Sequence, residues 1–142
     1  MKTILQFTLL AFVFFGGVWA SKAQEKFTIN VGFTGMKTDQ HQLYVAVYDN
    51  EADFLKKRIK GMVVKVENLK ASTVLELPAG VYAISCFYDL NDNKQLDTNF
   101  WGIPKEPIGV SNDAKGFMGP PKYKDAKFTL NENRSLTITI NE

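Results

Sequence analysis

From Phe27 the chain alternates. Phe27, Ile29, Val31 and Phe33 are apolar against Thr28, Asn30, Gly32 and Thr34, a period of two that buries one face of a pleated strand and wets the other. Gly35 and a polar run to Gln42 turn the chain, and Leu43 to Tyr48 is apolar on both faces, which predicts a second, more buried strand. The cap-type residues of Asp49-Asn50-Glu51-Ala52-Asp53 stand before Phe54 and Leu55 and predict a short helical turn, a connector too brief to be stable alone. Met62, Val64 and Val66 alternate with Val63, Lys65 and Glu67 as a third strand, and Thr73 to Leu77 makes a fourth. Pro78-Ala79-Gly80 ends it, because proline removes a ladder donor and glycine permits positive φ.

The stretch from Val81 to Tyr88 suits both sides of a pleat, with Tyr82, Ile84, Cys86 and Tyr88 on one face and Val81, Ala83, Ser85 and Phe87 on the other. That composition predicts a central strand. Ala126 to Leu130 and Leu136 to Ile140 close the chain as two more strands, joined by the turn Asn131-Glu132-Asn133-Arg134. Seven short strands without a long helical period predict an all-β fold, an antiparallel β-sandwich of immunoglobulin-like or transthyretin-like kind, with a small barrel as the alternative.

Ahead of this body lie Met1-Lys2, an apolar run from Ile4 to Trp19, and small residues at Ala20 and Ala23, the order of a secretory signal peptide. The rival is a permanent membrane span, but the run contains Gln6, Thr8 and Gly16-Gly17 and falls short of the roughly 20 apolar residues a span needs. We therefore expect residues 1–23 to be a leader, cut after Ala20 or Ala23, and 24–142 to form a single domain of a secreted or periplasmic protein.

The full chain holds 17 basic and 15 acidic residues. Cutting after Ala20 removes Lys2 and leaves 16 against 15; cutting after Ala23 removes Lys22 as well and leaves 15 against 15. A near-neutral body argues against nucleic acid or an anionic membrane as partner, since both depend on accumulated positive charge. Cys86 is the only cysteine, so packing must hold the body together without an internal disulfide. Its apolar strand predicts a buried, inert thiol. The single histidine, His41, reads as a turn residue in a polar segment.

After the central strand comes a loop crowded with oxygen. Asp89, Asn91, Asn93 and Asp97 occupy positions one, three, five and nine of the calcium-loop pattern, with Gln95 at seven able to offer a backbone carbonyl. Calcium is the only cofactor this spacing suggests, with Asp89 and Asp97 supplying charge and Asn91 and Asn93 neutral oxygens. Lys94 stands where the pattern wants glycine, and Phe100 where it wants a bidentate glutamate, so Glu106, Asn99 or water would complete the shell. The plainer reading is a hairpin turn whose Asp and Asn side chains satisfy its own backbone.

Phe100 to Pro121 carries four of the five prolines, four glycines, and Trp101, Phe117 and Met118. Such content predicts a long loop folded back on the sandwich, its aromatic side chains a hydrophobic clamp on the sheet. Alternatively Trp101, Phe117 and Glu106 line a rim for a sugar or peptide.

Leu77-Pro78-Ala79-Gly80-Val81-Tyr82, Tyr88-Asp89-Leu90-Asn91-Asp92-Asn93 with Leu96-Asp97-Thr98-Asn99, Gly102-Ile103-Pro104-Lys105-Glu106-Pro107, Gly109-Val110-Ser111-Asn112 and Pro120-Pro121-Lys122-Tyr123 arrive in an order that resembles the bacterial family called domain of unknown function 2141. The resemblance spans nearly the whole body and implies an exported bacterial β-sandwich, with no activity or cofactor to carry over. The family pattern often has His-Asp-Glu-Asn before the turn and glycine after the second asparagine, where this chain has Tyr88-Asp89-Leu90-Asn91 and Lys94. The expected function is a non-enzymatic binding or scaffolding module of the cell envelope, meeting an envelope protein or a glycan without a permanent membrane span. A carbohydrate- or peptide-binding module is the second expectation, and a hydrolase using Asp89 and Glu106 the third.

Overall fold

The computed structural model describes residues 23–141; the expected leader up to residue 22, with the expected cut after Ala20, lies outside the described residues, and of the other expected cut only the flanking Ala23 and Gln24 are described. Eight strands form two sheets: β1 (Lys26–Thr34), β2 (Gln42–Tyr48), β3 (Lys60–Lys65), β4 (Ala71–Pro78), β5 (Gly80–Asp89), β6 (Ile108–Val110), β7 (Phe128–Leu130) and β8 (Arg134–Thr139). One sheet runs β4-β1-β8 and the other β3-β2-β5-β6, with β7 also on β5. The alternating residues of β1 face inward as Ile29, Val31 and Phe33, and they meet Leu43, Val45 and Val47 of β2 and Ile84, Cys86 and Tyr88 of β5 in one apolar cluster between the layers. The fold is the expected all-β sandwich. Its pairs are antiparallel except for β1 with β8, which run parallel with Ile29 opposite Arg134.

β5 is central as its two-faced composition predicts. It pairs with β2 on one side, Cys86 opposite Val45, and with β6 and β7 in succession on the other. Its second face is covered at Ala83 by a smaller cluster with Tyr48, Phe54, Val110, Tyr123 and Ala126, while Val81 is exposed and Phe87 stacks half-buried on Tyr44. The predicted connector after β2 is a series of turns, with the Asn50 side chain accepting the Asp53 amide at 2.9 Å and Phe54 buried against Tyr48 and Tyr123.

The segment after residue 100 departs from the expected loop. It contains β6, a 3-10 turn at Ser111–Asp113 and the short helix α1 (Tyr123–Ala126). Ser111 Oγ accepts the Ile84 amide at 2.9 Å and donates to the Ala126 carbonyl at 2.6 Å, so one buried hydroxyl continues the β5 ladder where β6 ends. Gly109 is required there because a Cβ would come within 2.8 Å of Ile138 Cγ2 and 3.0 Å of Cys86 Sγ. The segment folds back as expected, but the anchors are Val110, Tyr123 and Ala126. Trp101, Phe117 and Met118 are solvent-exposed, which corrects the clamp reading: Val110, Tyr123 and Ala126 already pack on β5 at Ala83, and these three side chains are left in water.

The buried members of both apolar clusters lie between Ile29 and Ile140, with Phe27 packed against the larger one. Among the described residues no helix is long and apolar enough to cross a membrane.

Candidate functional site

β5 ends in a buried hydroxyl and a buried carboxylate. Tyr88 Oη donates to the Thr38 carbonyl at 2.7 Å and accepts the His41 amide at 3.2 Å, tying the strand end to the β1–β2 turn. His41 does more than turn the chain: its ring meets Tyr88 edge-on at 5.7 Å, and its Nδ1 lies 3.2 Å from Asp92 Oδ1. Asp89, the next residue, is 1% exposed. Its Oδ1 accepts the Asn93 amide at 3.3 Å and its Oδ2 the Lys94 amide at 2.8 Å. Asn91 Oδ1 also accepts the Asn93 amide, and Asn93 Oδ1 the Gln95 amide. The loop is thus a run of Asx-type turns in which side-chain oxygens replace the ladder partners the backbone has left. Asp92 and Lys94 take positive φ, 57° and 65°. Lys94 therefore adopts the conformation for which the calcium-loop pattern prefers glycine, at a cost of about 1–2 kcal/mol for a side chain in the left-handed region.

Glu106 closes this loop from its far end. It is 7% exposed. Its Oε1 accepts the Leu90 amide at 3.0 Å and its Oε2 the Asp97 amide at 3.1 Å; a further bond runs from the Lys105 amide to the Asp97 carbonyl at 2.8 Å. Burial raises the Glu106 pKa above the usual glutamate value, the two amide donors oppose that, and the carboxylates of Asp89 and Asp97 add to it. Among the sequence-predicted metal residues, Asn91, Asn93 and Asp97 converge: both amide Nδ2 atoms lie on Asp97 Oδ2, at 2.5 and 2.9 Å. Asp89 and Gln95 are engaged through the backbone of the same loop. No group of three or more histidine, cysteine, aspartate or glutamate side chains that could hold a metal ion occurs among the described residues.

Between Asp97 and Glu106 the chain makes a second, smaller hairpin. Thr98 bridges Pro104, and Asn99 organises the turn: its Oδ1 accepts the amides of Trp101 (2.9 Å) and Ile103 (3.0 Å), its carbonyl accepts the Gly102 amide, and its own amide donates to the Ile103 carbonyl. Gly102 takes φ 76°. With the backbone bonded inward, the side chains point out: Phe100 is 94% exposed, Trp101 80% and Ile103 58%, and the two rings meet edge-on at 5.4 Å.

Glu106 does not enter the rim expected from Trp101, Phe117 and Glu106. The Glu106 carboxylate is turned into the loop. Phe117 lies on the segment between β6, which ends opposite Ser85, and β7, which begins opposite Tyr82, whereas Trp101 lies on the loop that leaves β5 after Asp89. Cys86 is buried, as its strand predicts, and its thiol pKa is pushed up to about 12 by that burial. What the sequence reading passed over is Asn99 as the turn's organiser, signalled only by the Asn-x-x-Gly spacing to Gly102. A small depression lined by Gly35, Met36, Lys37, Thr38, Tyr88, Leu90 and Pro107 measures about 40 Å³, room for a water rather than a substrate. A larger, open depression of about 360 Å³, lined by Leu90, Asn91, Asp97, Lys105 and Glu106, lies over the loop itself.

Fold and site define a β-sandwich domain whose central strand runs into a self-bonded Asp/Asn loop crowned by an apolar hairpin tip. The chain belongs to the family described as "Uncharacterized protein conserved in bacteria (DUF2141)", whose model matches residues 31–139. No curated protein matches it. Among solved structures it is similar to a pilus-presented adhesin, in a cysteine-to-alanine mutant form, at 11% identity and a TM-score of 0.27; the match covers 85% of this chain and 28% of that one.

Proposed function

We propose that this protein is an exported, non-enzymatic binding module of the bacterial cell envelope that meets its partner through the Phe100–Ile103 tip. The observation that carries the reading is the pairing of a turn bonded within itself with three large apolar side chains left in water. A preorganised turn gives up little conformational freedom on binding, and aromatic anchors supply most of an interface's energy. The leader pattern of residues 1–23 supports export. Asp89 and Glu106, the pair a hydrolase would use, each accept two backbone amides, which supports a structural role for both. Sedimentation with isolated bacterial envelopes tests the proposal: residues 24–142 should pellet with them, and Phe100→Ser/Trp101→Ser/Ile103→Ser should stay in the supernatant. Equal pelleting of both proteins would refute it.

A second reading, calcium at the loop, is favoured by the convergence of Asn91 and Asn93 on Asp97. A half-turn of either amide presents oxygen in place of nitrogen at the cost of the bond its Oδ1 accepts from the Asn93 or Gln95 amide, and that cost together with so few carboxylates would hold the ion weakly, with Kd on the order of 10⁻⁴ to 10⁻³ M. A native-state ligand must raise stability. Melting with millimolar calcium should therefore exceed melting with chelator in the wild type and not in Asp97→Ala; identical midpoints in the wild type remove the ion.

A further inference from the structure

We propose that the partner of the Thr98–Pro104 tip is a lipid bilayer surface, into whose headgroup–acyl boundary Phe100, Trp101 and Ile103 insert. The inference rests on the reading of the tip as the binding surface and names what it binds. Entry into a low-dielectric layer requires backbone polar groups to be bonded internally. In the tip the amides of Asn99, Trp101, Gly102 and Ile103 all donate to atoms of Asn99 or Ile103, and the Phe100 amide, which makes no such bond, is left to the polar headgroup layer.

Thr98-Asn99-Phe100-Trp101-Gly102-Ile103-Pro104 contains no ionisable residue. The first charges are Asp97 and Lys105, opposite each other at the base of the hairpin where the Lys105 amide donates to the Asp97 carbonyl; Lys105 is exposed and can meet lipid phosphate while the turn enters. Tryptophan and phenylalanine suit this boundary because each couples a large apolar body to a tolerance for the polar layer above it. The shape argues the same way. A sugar is held by polar groups converging around an aromatic face, but here the polar groups nearest the ring are spent on the turn, and Glu106 is buried beneath it. A convex tip encloses nothing; it must itself be enclosed.

The near-neutral charge of residues 24–142 argues against a binding mode that depends on anionic lipid and favours apolar insertion, which phosphatidylcholine alone supports. Trp101 is the only tryptophan of residues 24–142, so its emission reports the tip directly. Titrating these residues, which contain both apolar clusters entire, with phosphatidylcholine vesicles should shift Trp101 emission to the blue, and bromine-labelled acyl chains should quench it. Phe100→Ser/Ile103→Ser, which retains Trp101, should lower the partition coefficient about tenfold or more, from the apolar area withdrawn from lipid. Val74→Ser, at an exposed apolar position of β4 on the other sheet, should leave it unchanged.

The proposal is overturned if emission is unmoved at millimolar lipid, or if binding needs anionic lipid, disappears in salt and survives the double substitution. Bacterial envelopes separate the two levels. Envelope binding lost by the tip variants but without vesicle binding sinks the bilayer and keeps the binding tip, pointing to an apolar protein pocket; no binding to either sinks both.

Discussion

Phe33 and Phe100 are the same residue in opposite circumstances, and so are the regions that hold them. Phe33 is fully buried between the sheets with Ile84 and Tyr88 as members of the same cluster, while Phe100 stands almost wholly in water on a turn whose bonds are all its own. In the first region side chains hold the backbone; in the second the backbone holds the side chains. Apolar surface stabilises a fold only where folding removes it from water, so the core should govern stability and the tip should govern binding.

Substitutions that break the comparison should follow that division. Phe33→Ala should cost about 3–5 kcal/mol in chemical denaturation, the usual toll of a large buried aromatic. The loop between the two regions comes next. Asp89→Ala leaves the Lys94 amide without its acceptor and should cost about 1–3 kcal/mol, while exposed Asp92→Ala stays within about 1 kcal/mol of the wild type. Glu106→Gln should cost a similar 1–3 kcal/mol or so, because a glutamine offers one acceptor to two amides and turns its NH₂ on the other.

Glu106 also gives the region a pH signature. Its folded pKa lies above the unfolded value of about 4.3, so its contribution to stability is fully present below that value and is lost as pH rises through the folded pKa. Melting temperatures of the wild type should therefore carry a falling component with pH just above 4.3 that Glu106→Gln lacks; superimposable profiles would show that the carboxylate titrates normally. Lys94→Gly relieves the positive φ of 65° and, after the added flexibility of glycine, should stabilise by roughly 0.5–1 kcal/mol. The smallest effect belongs to the tip. Trp101→Ala should move stability by no more than about 0.5 kcal/mol while removing envelope binding, and a large loss of stability there would erase the distinction between the two regions.

The strands were legible because each carries its own record of the core. Ile29, Val31 and Phe33 fall on one face by their spacing alone, and the two-faced composition of β5 announced a central place that β2, β6 and β7 then filled. β6 went unseen because Ile108, Gly109 and Val110 are too few to show a period. The loop's oxygen-bearing residues stood out by type and spacing, yet type and spacing suit an ion and a self-bonded turn equally.

The order and spacing of residues along the chain therefore determined an all-β fold, a buried thiol at Cys86 and the place where polar chemistry would gather. Only the folded molecule decided that Glu106 is buried beneath the loop, that Asn99 ties the tip, and that Trp101 faces water while Tyr123 faces the sheet. The physical reason is range. Periodicity is written over neighbouring residues, which share a strand and hence a face, whereas the amides that claim Glu106 lie 16 and 9 positions away. Whether an aromatic side chain in a loop is covered depends on the layer beside it, which exists only once the sheets have closed.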